Sequence, residues 1–177
     1  MKQLLIFMLC TTSFFAQQDA RNLMTFNLNE VAMLNIAPNN NTVILNLISP
    51  NQPGDQVSFS SSNNTKWINF TSAKALASSP RNLYIKVENG TIPQGIDLKL
   101  NVSNYQGSGG GDLGTRTNNL TLNTNNQAIV SGIGGAYTGY GTNNGYRIRY
   151  VIEITDYELL NIDNSEVLTI SLTLTDF

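Results

Sequence analysis

Three tyrosines and one tryptophan are the residues whose types and placement suggest recognition chemistry. Tyr137, Tyr140 and Tyr146 stand in a stretch punctuated by Gly132, Gly134, Gly135, Gly139, Gly141 and Gly145. A tyrosine ring offers an apolar face and a hydroxyl, the two properties that stack on and hydrogen-bond to a sugar ring. Trp67, the single tryptophan, would widen such a platform. The same residues also have a plainer reading. Glycine lets a strand bend or bulge while tyrosine packs over bare backbone, and a lone tryptophan can simply fill a core.

Catalytic chemistry has little to work with. The chain has no histidine and one cysteine, Cys10. Beyond residue 10, His- and Cys-based nucleophile pairs and nitrogen or sulfur metal ligands are therefore missing. Asp156, Glu158, Asp163 and Glu166 could offer hard oxygens to calcium, but they lack the dense Asp/Asn/Gly alternation of a dedicated loop. They read as a solvated turn. The glycine-rich run 107–114 has no following Lys-Ser/Thr, carries Asp112 where an anion would sit and opens no helix, so it is no phosphate cradle. It reads as a mobile connector. The expectation is a non-enzyme with no cofactor and no metal.

The elements that would position these residues follow an export signal. Lys2 gives a positive start, and Leu4, Leu5, Ile6, Phe7, Met8, Leu9 and Cys10 give a short apolar core. Phe14-Phe15-Ala16 leads to a cut before Gln17. The apolar stretch is too short to span a bilayer. This predicts residues 1–16 as a signal peptide, residues 17–177 as one domain, no membrane insertion of the mature chain, and a location in the periplasm, at the cell surface or outside. Net charge is −2 and charged residues make up 12%. With Arg147 and Arg149 flanked by Glu153 and Asp156, no basic patch exists for nucleic acid. Six Asn-x-Ser/Thr triplets, at Asn40, Asn63, Asn69, Asn89, Asn101 and Asn119, follow from the abundance of those residues.

Period-two alternation with turn signals recurs along the chain. Met24, Phe26 and Leu28 alternate with polar residues, as do Leu34 and Ile36. A more continuously apolar strand covers 43–48, a short one holds Val57 and Phe59, and another covers 67–70. Leu83, Ile85 and Val87 alternate cleanly, and Ile96, Leu98, Leu100 and Val102 follow. Leu120 and Leu122, the run 128–133, the run 146–154 and the run 168–174 complete the series. Tyr146, Ile148, Tyr150, Ile152 and Ile154 share one face of the longest strand. The segment 72–79 is helix-friendly but too short to stand alone. Nine or ten short strands without a helix predict an all-β, two-sheet antiparallel β-sandwich. A closed outer-membrane barrel fits less well. Counting back from Phe177 by twos meets Thr175, Thr173, Ser171 and Thr169, which would put polar residues where lipid should be.

The run 128–146, the segment 148–155 and the closing run 168–176 resemble a group of uncharacterised secreted proteins of Bacteroidetes. Lys-Trp-Ile-Asn-Phe-Thr at 66–71 and Gly-Thr-Ile-Pro-Gln-Gly at 90–95 fit the same group. The resemblance brings no activity. More distantly, the Thr-rich closing strand is similar to spore-coat-U-like and other pilin-type, immunoglobulin-like subunits, which form surface fibres by lending a strand to a neighbour. That resemblance implies a structural or adhesive surface protein whose partners are copies of itself or other subunits. Met24, Phe26 and Leu28 would form the donor strand. The alternative is a glycan-binding module using Tyr137, Tyr140, Tyr146 and Trp67.

Overall fold

The computed structural model describes residues 21–38, 42–160 and 166–176. The signal-like segment 1–16, its cut before Gln17, the turn at 39–41, Asp163 and Phe177 lie outside the described residues. Thirteen strands form among the described ones: β1 (Val31–Ala37), β2 (Ile44–Ile48), β3 (Ser58–Ser62), β4 (Thr65–Ala73), β5 (Arg81–Asn89), β6 (Ile96–Gln106), β7 (Gly110–Gly111), β8 (Thr115–Arg116), β9 (Leu120–Thr121), β10 (Gln127–Ile133), β11 (Ala136–Tyr137), β12 (Gly145–Ile154) and β13 (Thr169–Asp176). Four of these, β7, β8, β9 and β11, have only two residues. The described residues contain no helix, and every ladder is antiparallel.

The largest sheet is built around β4. One edge of β4 carries β1 along its length, with Val31 opposite Ala73 and Ala37 opposite Trp67. The other edge is shared by β12, opposite residues 65–68, and β11, opposite Thr71 and Ser72. Beyond β12 come β6 and β9, and β7 pairs with β11. A second sheet runs β13-β5-β10-β8, and β2 with β3 forms a separate two-stranded ribbon.

The first two sheets share one core. Ile68 and Phe70 of β4, Leu98, Leu100 and Val102 of β6, and Ile148 of β12 cluster with Leu83, Ile85 and Val87 of β5 and Ile129, Val130 and Ile133 of β10. The strict alternation in β5 and β12 puts one residue in two on this side, and each large aliphatic side chain removed from water contributes about 1.5–3 kcal/mol.

Three local expectations differ from the structure. Residues 21–30 join no ladder, so the alternating Met24, Phe26 and Leu28 form no strand in this subunit. Residues 72–79 form no helix, in keeping with their length: they complete β4 and then turn, with the Ser78 N–H donating to the Ala75 carbonyl at 3.1 Å. The ribbon β2–β3 stands as a third sheet beside the expected two. The run 107–114 is fixed rather than mobile. Within it β7 pairs with β11, and a side chain on Gly111 (φ +91°) would lie 2.1 Å from the Gly135 carbonyl oxygen.

Candidate functional site

Two surfaces offer themselves, and they are built in opposite ways. The first carries the Gly/Tyr stretch. Between β11 and β12 the chain leaves the sheet in a loop, residues 138–144, held by side chains that satisfy its backbone. Asn69 points outward from β4 yet is buried. Its Nδ2 donates to the Gly141 carbonyl at 3.1 Å and the Asn144 carbonyl at 2.6 Å, and its Oδ1 accepts from the Gly141 N–H at 2.9 Å. Thr138, fully buried, accepts from the Phe70 N–H through Oγ1 at 2.9 Å. Asn144 donates to the Tyr140 carbonyl at 2.9 Å and accepts from the Ser108 N–H at 3.2 Å. Gly145 (φ +92°) re-enters the sheet where a Cβ would sit 1.9 Å from the Ile68 carbonyl oxygen.

This loop presents Tyr140 at 85% exposure, and Tyr137 beside it at 55%. The other two rings of the expected platform lie elsewhere. Tyr146 is 2% exposed. Its ring stacks on Phe70 at 6.2 Å and meets Tyr105 edge-on at 6.0 Å, while its hydroxyl reaches the Leu113 carbonyl at 2.9 Å. Burial pushes its ionisation upward. Trp67 is 7% exposed and stands on β4 out of phase with Ile68 and Phe70, outside the main core cluster. A buried ring has no face to give a sugar, so the aromatic surface reduces to Tyr137 and Tyr140.

The second surface is an apolar groove of about 1010 Å³. Its walls are Leu34 and Ile36 of β1, Tyr150 and Ile152 of β12, Ile170 and Leu172 of β13, and Leu45 and Leu47 of the β2–β3 ribbon. Leu34, Leu45, Ile170 and Leu172 pack against the core while only partly buried. The charged residues along it are Lys66 and Glu166. Lys66 is buried, donates to the Pro38 carbonyl at 3.2 Å, and has its ammonium pKa lowered by desolvation. Tyr150, also buried, has its phenol pushed up to about 12 by desolvation.

The groove lies on the flank where both larger sheets end. Among the described residues β1 pairs only with β4, and β13 only with β5. Each therefore leaves one row of backbone donors and acceptors outside any ladder. The two edges are tied at one pole by Arg81, 3% exposed. Its guanidinium pairs with Asp176 at the end of β13 and with Glu30 Oε2 at 3.3 Å, and donates to the carbonyls of Val31 and Ala73. Glu30 also accepts from the Ser78 hydroxyl and from the Ala75 N–H at 2.7 Å. These bonds, the Ser78 one foremost, then Ala75 and the nearby Arg81, hold its carboxyl below the usual range. The groove's lining lies toward the other pole, where residues 34–38 and 166–172 take part in it.

Sequence reasoning did not find the groove. Its only signal is that the inward residues of β1 and β13 are as apolar as those of central strands. The expected donor residues are exposed: Leu23 at 95%, Met24 at 72%, Phe26 at 82% and Leu28 at 91%. The acidic residues do not converge, since no group of three or more His, Cys, Asp or Glu side chains able to hold a metal occurs among the described residues. No described helix is long and apolar enough to cross a membrane. No family model, no curated protein and no solved structure matches the chain.

Proposed function

We propose that this chain is an exported, non-enzymatic β-sandwich that serves as a structural or adhesive surface subunit and assembles through its edge strands. The observation that carries the reading is the open flank between β1 and β13. There a groove of about 1010 Å³, walled by half-buried aliphatic side chains, is lined in part by the two strands that keep an unpaired edge among the described residues. An unpaired edge is a template for another strand, and a monomer normally blunts it with charge, proline or a cover. Here β1 carries no charge and no proline, and β13 carries one charge, Asp176, at the pole held by Arg81. Added backbone hydrogen bonds give such a contact strength, and alternate side chains entering the groove give it specificity. The resemblance to pilin-type subunits supports the same reading, and that to secreted proteins of Bacteroidetes supports a location beyond the inner membrane.

Sedimentation velocity of the protein lacking residues 1–16, over a wide concentration range, tests the reading. A species that grows with concentration is expected. A sharp monomer at every concentration contradicts it.

A second reading is favoured by the exposure of Tyr140, on a loop held by side-chain hydrogen bonds to its backbone, and of Tyr137 on β11 just before it. Such a preorganised pair suits a neutral glycan. Retention of the wild type on a polysaccharide array, lost in Tyr140→Ala, would support it, and an array that retains nothing would remove it.

A further inference from the structure

We propose that the space between the two larger sheets and the β2–β3 ribbon is a binding site for a single-chain aliphatic carboxylate of the fatty-acid class, its tail held by the apolar walls and its head group by Lys66. The inference goes beyond assembly and does not depend on it. The ligand takes side-chain space between layers, whereas assembly uses the backbone edges of β1 and β13.

The space is apolar on three sides. Leu34 and Ile36 of β1 line it from the first sheet, and Ile170 and Leu172 of β13 from the second. The third side is the ribbon, which pairs with neither sheet. Leu45 and Leu47, alternate residues of β2, face the space, while Ile44 and Ile48 between and beyond them are exposed. Small-molecule sites enclose roughly 300–1,000 Å³, and this one, at about 1010 Å³, stands at the top of that range. Its lining runs along residues 34–38 and 168–172, about 13 Å of extended chain on each side. A bilayer core about 30 Å thick holds two layers of acyl tails, about 15 Å each. One extended tail therefore matches the length of the walls.

A charge at a core position selects the head group. Lys66 precedes Ile68 and Phe70 on β4 at the same period-two phase, so it shares the inward face of those core residues. It is 5% exposed and lines the space. Its ammonium donates to the Pro38 carbonyl at 3.2 Å. Between aliphatic walls such a charge is poorly screened and attracts an anion more strongly than a surface lysine does. Desolvation lowers its pKa, and a carboxylate beside it would offset that effect. Glu166, the other charged lining residue, is exposed and would repel a carboxylate, which leaves Lys66 as the anchor.

The test uses the chain from residue 17 and the fluorescence of cis-parinaric acid, with palmitate, laurate and hexadecanol as competitors. The probe should brighten saturably with one site per chain. Palmitate should displace it more than about tenfold better than laurate, which buries fewer methylenes. It should also outcompete hexadecanol, its uncharged counterpart, by about tenfold or more. Lys66→Met keeps the stem and removes the charge. It should erase the advantage of palmitate and leave hexadecanol unchanged. Leu172→Trp, which fills the space, should weaken both. Circular dichroism checks that each chain is folded, and if Lys66→Met is not, the palmitate-to-hexadecanol ratio on the wild type decides alone. Equal displacement by palmitate and hexadecanol overturns the assignment of the head group to Lys66. A folded Leu172→Trp that binds as wild type does, or a wild type that leaves the probe dark, overturns the site. The extent of assembly is read separately, by sedimentation, so either property can fail without the other.

Discussion

At the Gly/Tyr loop and at the β1–β13 flank the same kind of strand ends in opposite states. Around the loop, buried side chains from neighbouring strands reach the backbone: Asn69 holds both ends of residues 141–144, and Thr138 sits between Phe70 and Gly139. Glycines allow main chain to approach main chain without a Cβ between them. What faces outward there is the two exposed rings beside Thr142 and Asn143. On the flank the inward aliphatic side chains of β1 and β13 are only partly buried, and among the described residues each strand keeps an open edge. The contrast separates a finished surface from a receptive one. Closure comes from polar side chains and glycine directed at backbone groups, and receptivity from apolar strands that lack a neighbour.

The comparison breaks most readily at its closed end. Gly145→Ala must accommodate a Cβ 1.9 Å from the Ile68 carbonyl oxygen at φ +92°. It should lower stability by about 4 kcal/mol or prevent folding, as read by urea denaturation. A mild effect, below about 1 kcal/mol, would mean that the loop is not locked. Next in size is a matched pair of truncations. Leu100→Ala, in the sealed core, should cost about 3 kcal/mol. Leu172→Ala, at the groove, should cost about 1 kcal/mol in the monomer, because less apolar contact is lost there. Equal costs would mean that the flank is as closed as the core.

Alkaline pH sharpens the same contrast, because Tyr150 lines the groove yet ionises only at about 12. Between about pH 10 and 12 the unfolded chain releases a phenol proton that the folded chain keeps. Stability is therefore whole below pH 10 and falls by about 1.4 kcal/mol per pH unit, about 2–3 kcal/mol in all. Tyr150→Phe should flatten this part of the slope. An unchanged slope would show that water reaches Tyr150 through the groove. The smallest effect is expected at Tyr140→Ala, within about 0.5 kcal/mol of wild type, since that ring is exposed.

The sequence carried the contrast only in part. In β12 the phase of Tyr146 with Ile148, Tyr150 and Ile152 already placed that ring inward. The same phase argued against listing it with the surface tyrosines. Trp67 shows the limit of phase: it alternates outward from Ile68 and Phe70 and is buried all the same. The fixed state of residues 107–114 depends on residues 134–137, beyond any local window. In Met24, Phe26 and Leu28 the alternation says that the segment fits a pleated surface, but not whose. The groove is lined by strands far apart in sequence, and local pattern does not encode where they meet.

The most direct test of the account is sedimentation velocity of the chain from residue 17, run with and without an excess of a peptide of residues 21–30, the donor segment expected from the sequence. Assembly that rises with protein concentration and collapses toward monomer as peptide is added is the predicted result. A single monomer boundary in both conditions, at every concentration reached, would contradict it.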